Sequence, residues 1–337
     1  MSMLDPYVVN HDSFIEDIRT EFTTSTFTNY HKVQIKKLVI EEMMKGKVEN
    51  ACHWIAELVC AGHFIDIWEI LFAFYGKRIH IGNPKIAVYL DKRYRVFKNI
   101  AQQSFVFDTL QLRNNSKIRQ LFAEIVTLLT LTNKKQELRY IKIERKEEFD
   151  ITNLTEKLKA PSVQYIPFFK ERDPPELIIP LNEFSYHISA PEVWNAFQAF
   201  FWIEWILEFD AICKRKKRPC VCEIRENSYI DKKYETHAVW LLWESIFYYG
   251  QETKSAFVQN VLQSLHSLFC VKYGTSNCQK RKYFLYMAVE LLTSSVEFQG
   301  DLISKENMEI VQVAIKNIDE IYKNIKKNEV RGKLMIF

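Results

Sequence analysis

Two groups of side chains in this sequence have types and spacings that metal or proton chemistry uses. His53, Glu57 and Cys60 fall at i, i+4 and i+7 of one helical face, with His63 close behind. That spacing suits metal ligands or a proton-carrying pair. It is equally the polar edge of an amphipathic helix with a local His–Glu pair. Cys213, Cys220 and Cys222, with His237, His266, Cys270 and Cys278 downstream, form a second candidate zinc set. Zinc knuckles pair cysteines two to four residues apart, whereas here a single C-x-C follows an irregular gap, so no metal ligand is assigned.

Basic residues form two further groups. Between Cys213 and Cys220 lies KRKKRP, in which Lys214, Arg215, Lys216, Lys217 and Arg218 are consecutive. Such a run reads as a nuclear-import signal or a phosphate-binding loop, because clustered cations release counterions from a polyanion. It reads equally as a solvated loop at a helix end. The second group is Lys77, Arg78, Lys85, Lys92, Arg93, Arg95 and Lys98, set against Asp91 alone and interleaved with Tyr89, Tyr94 and Phe97. Cations on a helix grip phosphates while neighbouring aromatics pack or stack, which makes this stretch the candidate nucleic-acid-binding face. The alternative is an exposed face above a buried aromatic stripe. Arg113, Lys117 and Arg119 are candidates to extend the patch.

Catalytic signatures are missing. The sequence holds no G-x-x-x-x-G-K-[ST] loop, no G-x-G-x-x-G, no G-x-S-x-G elbow and no H-E-x-x-H. No Glu-x-x-His accompanies Glu57, Glu204, Glu208 or Glu244, as a di-iron carboxylate bundle requires. No catalytic residue or cofactor is therefore assigned, and the chain reads as a non-enzyme. A net charge of +4 is too small to argue for a polyanion globally, so that argument rests on the local clusters.

The elements that position these residues read as helices throughout. Aromatics reach 14% while glycine and proline are few, which disfavours turn-rich β architectures. Three amphipathic segments, from His31, Val48 and Phe64, end at Gly46, Gly62 and Gly76 as left-handed C-caps would end them. Asn83-Pro84 opens a helix to about Gln102, and Ser116 caps the next. The stretch ELRYIKIERKEEFD is ambiguous between helix and strand. Six prolines between 160 and 191 argue against a continuous helix, and that region reads as an arm joining two halves. Helices follow at about 191–215, 232–249, 252–271, 279–298 and 305–326. The expected organisation is an irregular lead-in (1–30), an N-terminal helical bundle (31–159), a proline-rich connecting arm (160–190), a C-terminal helical bundle (191–326) and a basic tail (327–337). HWIAEL, FWIEWILE and VWLLWE echo one another, without a regular repeat period. The N-terminus lacks the pattern of a signal peptide and no apolar run is long enough to span a bilayer, while seven scattered cysteines suit buried thiols in a reducing compartment.

Glu49 to Ala87 resembles the start of the C-terminal helical region of RarA/MgsA-type ATPases, relatives of the sliding-clamp loaders. HWIAEL ending in Ala61-Gly62, then IWEIL, then IHIGNPK carry the resemblance, with Ala51, Trp54, Ala56, Gly62, Leu71 and Pro84 matching in order. Glu57 stands where that family has Arg, Trp68-Glu69 replaces its Ala-Arg, and the ATPase module has no counterpart here. The resemblance implies a clamp-loader-collar-like bundle, which in that family mediates oligomerisation beside DNA, and implies no ATP hydrolysis. Through ACHWIAELVCAGHFIDIWEI, HIGNPK and WIEWILEFDAICKRKKRPCVCEI the sequence also resembles an uncharacterised family of large DNA viruses of algae and protists. That implies a setting in viral DNA replication or repair, or virion assembly, within a viral factory in the host cytoplasm or in the nucleus.

The expectation is an all-α protein of two helical bundles acting as a scaffold for viral DNA replication, repair or recombination. Its expected partners are nucleic acid or a replication protein, self-association included, with no membrane contact. The alternatives are a structural or adaptor protein of a virus particle or factory that binds protein only and, third, an unrecognised metal-dependent enzyme.

Overall fold

The computed structural model describes residues 14–16, 19, 22–103, 109–138, 140–144, 149, 154–218, 220–252, 255–294 and 301–330. Among these residues the chain is all-α: thirteen α-helices form and no strand does. In order they are α1 (Lys32–Met44), α2 (Val48–Cys60), α3 (Phe64–Phe74), α4 (Lys85–Gln103), α5 (Thr109–Asn114) and α6 (Ser116–Leu131). There follow α7 (Ile178–Ser189), α8 (Ala196–Arg215), α9 (Val239–Glu252), α10 (Ala256–Cys270), α11 (Thr275–Arg281), α12 (Tyr283–Thr293) and α13 (Lys305–Lys326).

Local chemistry sets most of the boundaries. Gly46 and Gly62 stand at φ +72° and +75°. The N–H of Lys47 returns to the Glu42 carbonyl and that of His63 to the Leu58 carbonyl, closing α1 and α2 as Schellman motifs. Gly76 differs from the expected left-handed stop. It lies in a π-helical turn, Tyr75–Ile79, that continues α3, and a Cβ there would overlap the buried ring of Tyr283. Glycine is required for close approach, not for backbone sign. The cap of α6 is Asn115, not Ser116: its Oδ1 accepts the N–H groups of Lys117 at 3.0 Å and Ile118 at 3.3 Å. Within the proline-rich stretch, α7 forms because Pro180 is its third residue, where the missing N–H would have no helical partner. The described part of the ambiguous 137–150 stretch has no regular structure, while residues 139, 145–148 and 150 lie outside the described residues. Most of the lead-in and residues 331–337 of the tail also lie outside them.

Two compact units alternate along the chain, which differs from the expected division into 31–159, 160–190 and 191–326. The first holds 1–75, 92–135 and 300–337, and the second holds 76–91 and 136–299. In the first unit α2 packs on α1 and α6, and α13 packs on α2 and α6. Helix α13 thus belongs to the first unit and not to the expected C-terminal bundle. It buries Val311, Ile318, Tyr322 and Ile325, a stripe at seven-, four- and three-residue spacing, on helices more than 170 residues earlier in the chain. Arg119, 3% exposed, lies beneath this stripe with its guanidinium 4.3 Å from the Tyr322 ring centroid and 3.4 Å from Asp319 Oδ1. Arg113, 2% exposed, faces the rings of Phe22 and Phe27. Neither arginine extends a surface patch, contrary to expectation.

In the second unit α7 packs on α8 and α9, while α12 contacts α8, α9 and α10. Ser185 and Ser245 share a hydrogen bond of 2.7 Å between α7 and α9. Glu204 on α8 accepts from Lys282 and from the Tyr286 hydroxyl at 2.8 Å, satisfying a nearly buried carboxylate. The irregular arm before α7 is pinned from that helix. Glu183 accepts the N–H groups of Lys159 and Ala160, and Asn182 accepts from Tyr165 and donates to the Ser162 carbonyl. Among the described residues no helix is long and apolar enough to cross a membrane.

Candidate binding surfaces

The long basic stretch divides between the units: Lys77, Arg78 and Lys85 belong to the second, and Lys92, Arg93, Arg95 and Lys98 to the first. In the first unit, Tyr94 and Phe97 face inward from α4. Phe97 lies 5.8 Å from Phe64, 5.7 Å from Trp68 and 5.7 Å from Phe122 between ring centroids, and Tyr94 meets Trp68 edge-on at 5.0 Å. These aromatics are half-buried and packed against the buried rings of Phe64, Trp68 and Phe122, so they serve the core more than they offer a stacking platform, as the alternative reading of the stretch has it. Arg93 is paired with Glu124. Lys92, Arg95 and Lys98 are exposed at three-residue spacing on the outer side of the same helix. In the second unit Arg78 binds Glu137 at 2.7 Å, Lys77 stands 3.7 Å from the same carboxylate, and Lys85 is half-buried.

The run 214–218 spans the C-terminal end of α8 and the turn that follows it. Lys214 binds Asp210 at 2.6 Å and Arg215 binds Glu208 at 3.0 Å within the helix. Lys217 takes φ +55° and the Arg218 N–H reaches the Cys213 carbonyl at 3.0 Å, a Schellman closure without glycine. Lys216, Lys217 and Arg218 are exposed and form no ion pair among the described residues. Cations at a helix C-terminus complement its negative partial charge, so their placement already has a structural reason.

The two candidate ligand sets do not assemble. His53 lies against Trp54, and Glu57 turns away to accept the backbone N–H and hydroxyl of Thr28 at 2.6 and 2.8 Å. Cys60 is fully buried, and burial pushes its thiol well above the usual range. Cys222 is likewise raised, by a hydrogen bond with Cys220 and by burial, and burial pushes Cys278 up to about 12 and Cys270 up to about 12. Protonated thiols are poor ligands and nucleophiles. Among the described residues no group of three or more His, Cys, Asp or Glu side chains is arranged to hold a metal ion.

The second unit also contains a cleft of about 450 Å³. One wall is α9, where Trp240, Trp243, Glu244, Phe247 and Gln251 recur at three- and four-residue spacing. The irregular segment 225–229 and Phe168 complete it, with His266 of α10 at the floor. His266 meets Trp243 at 5.1 Å and Phe247 at 5.2 Å, both edge-on. Burial holds its pKa down at about 4, so the ring is neutral near pH 7. Asn227 Nδ2 lies 3.4 Å from His266 Nε2, consistent with that nitrogen accepting.

Arg225 anchors the cleft. Its Nη1 and Nη2 fork onto Asp173, with Nη2 to Oδ2 at 2.6 Å, while Nε donates to Glu244 Oε2 at 2.8 Å and Nη1 to the Glu223 carbonyl at 2.8 Å. Burial alone raises the Asp173 carboxyl. The guanidinium and the N–H groups of Lys170 and Glu223 outweigh burial and hold it below the ordinary range. The echo VWLLWE lies on the wall of this cleft, but the echo alone does not reveal a concavity. The helical stripe of Trp240, Trp243, Glu244, Phe247 and Gln251 is a usable signal, whereas the Arg225–Asp173 fork, 52 residues apart, is not. Compared with protein-family models, with curated proteins and with solved structures, the chain matches none.

Proposed function

We propose that this chain is a non-enzymatic helical scaffold that binds a polyanion, with nucleic acid in viral DNA replication, repair or recombination as the setting its sequence resemblances imply. One observation carries the reading: Lys92, Arg95 and Lys98 stand exposed along one helix that Tyr94 and Phe97 hold against the buried rings of Trp68 and Phe122. A helix held in this way presents its cations at fixed spacing, so phosphate contact does not require ordering a loop. The exposed Lys117 and the loop cations Lys216, Lys217 and Arg218 are secondary candidates. The Lys92→Glu/Lys98→Glu variant is expected to abolish gel retardation of duplex DNA at 50 mM salt while far-UV circular dichroism stays unchanged. Retardation equal to the unsubstituted protein would refute the reading.

The aromatic cleft favours a second reading, an adaptor that binds protein. It joins concavity, aromatic walls and a few converging polar groups, as binding pockets do.

A further inference from the structure

The charges around the cleft are one-sided. Arg225 is the single cation among its lining residues, against Glu226 and Glu244 in the lining and Asp173 behind them. Four of the five N–H groups of Arg225 are already used, two on Asp173, one on Glu244 and one on the Glu223 carbonyl. An anion entering here meets two carboxylates in the lining and a guanidinium already committed to Asp173 and Glu244. Glu244 gives Oε2 to Arg225, while its Oε1 has no hydrogen-bond partner among the described residues. Glu226 is exposed at the mouth. The accessible walls are aromatic: Tyr229 is 55% and Tyr248 39% exposed, and Phe168 and Phe247 are half-buried. The neutral His266 adds no repulsion for a cation.

Resting on the adaptor reading above, we propose that the cleft is a recognition site for an arginine side chain presented by a protein partner. A guanidinium matches the site in three respects. Its flat face stacks on Tyr and Phe rings, its planar fork suits the open oxygen of Glu244, and its weak hydration makes entry into a half-apolar cleft less costly than for an ammonium. The cleft is open-sided, with exposed aromatics at its rim, which fits a side chain delivered from a neighbouring chain rather than an enclosed free metabolite.

The test titrates the full chain calorimetrically with the peptide acetyl-Gly-Arg-Gly-amide and its citrulline counterpart, which keeps the shape and loses the charge. The arginine peptide is expected to bind with a dissociation constant on the order of 1 mM at low salt, and the citrulline peptide about tenfold more weakly. Glu226→Gln and Tyr248→Ala alter exposed residues, so the fold persists, and each is expected to weaken the arginine peptide roughly fivefold. Equal binding of the two peptides, or affinity untouched by both substitutions, overturns the inference. Binding of acetyl-tryptophan-amide in the cleft without binding of the arginine peptide overturns it while sparing the adaptor reading. Binding of none of the three probes removes both.

Discussion

The outer edge of α4 and the cleft beside α9 are built from the same side chains in opposite order. On α4 the aromatics Tyr94 and Phe97 point inward and Lys92, Arg95 and Lys98 point out. In the cleft the cation Arg225 is committed to two carboxylates, Asp173 and Glu244, and aromatic rings line the concavity. The first arrangement leaves positive charge in water, where it meets phosphate at little desolvation cost. The second commits its positive charge internally and leaves π faces and carboxylate oxygens for a partner. Basic-plus-aromatic composition therefore does not specify what a surface binds; which class of side chain is buried does.

The largest expected effect separates the two arginines. Arg225→Leu strands Asp173, whose side chain is 0% exposed, and should cost about 3–5 kcal/mol in urea unfolding. Arg93→Leu breaks a pair with Glu124 whose side chains are 34% and 20% exposed, and should cost less than about 1 kcal/mol. Equal costs would erase the distinction between a committed and a solvated cation. Next in size, Phe97→Ala should destabilise by about 2–3 kcal/mol by removing a half-buried ring packed on Phe64, Trp68 and Phe122. An aromatic reserved for base stacking would instead leave the melting temperature unchanged and weaken only DNA binding.

A smaller effect concerns acid. His266 titrates at about 4 when folded against 6.5 as its ordinary value, so between those limits the unfolded chain holds the extra proton. Its contribution is complete above pH 6.5 and fades as pH falls toward 4. Allowing for partial exposure, it amounts to roughly 2 kcal/mol. Burial lowers His63, His187 and His237 in the same sense, so His266→Gln should flatten the acid limb of stability without abolishing it. Glu290, raised to about 7 by burial, acts oppositely, contributing stability that is lost as pH rises toward 7. A stability curve between pH 4 and 6.5 that His266→Gln leaves unaltered would contradict the assignment. The smallest effect is on α4: Lys92→Ala/Lys98→Ala should change stability by no more than about 0.5 kcal/mol.

Local rules make most of the helices legible in the amino-acid sequence. Gly46 and Gly62 mark ends because a left-handed residue is required there, and α13 shows its 305–326 limits through its apolar spacing. Gly76 carries the same letter for a different reason, the ring of Tyr283 more than 200 residues away, which no local pattern encodes. The same limit explains the units. The stripe on α13 announces a helix but not the surface it covers, and the alternating segments follow from that docking. The cations of α4 are readable by type. Their split into paired Arg93 and exposed Lys92 and Lys98 depends on Glu124 of α6. The cleft is the least legible, because its floor, wall and anchor come from Phe168, segment 225–229, α9 and His266.

The most direct measurement is fluorescence anisotropy of labelled single- and double-stranded DNA across a salt series, for the unsubstituted protein and for Lys92→Ala/Lys98→Ala. Log affinity should fall linearly with log salt, and the variant's slope on duplex should be shallower by about two, near one unit for each phosphate contact removed. No binding at low salt, or a slope that the substitutions leave unchanged, would contradict a polyanion-binding edge on α4.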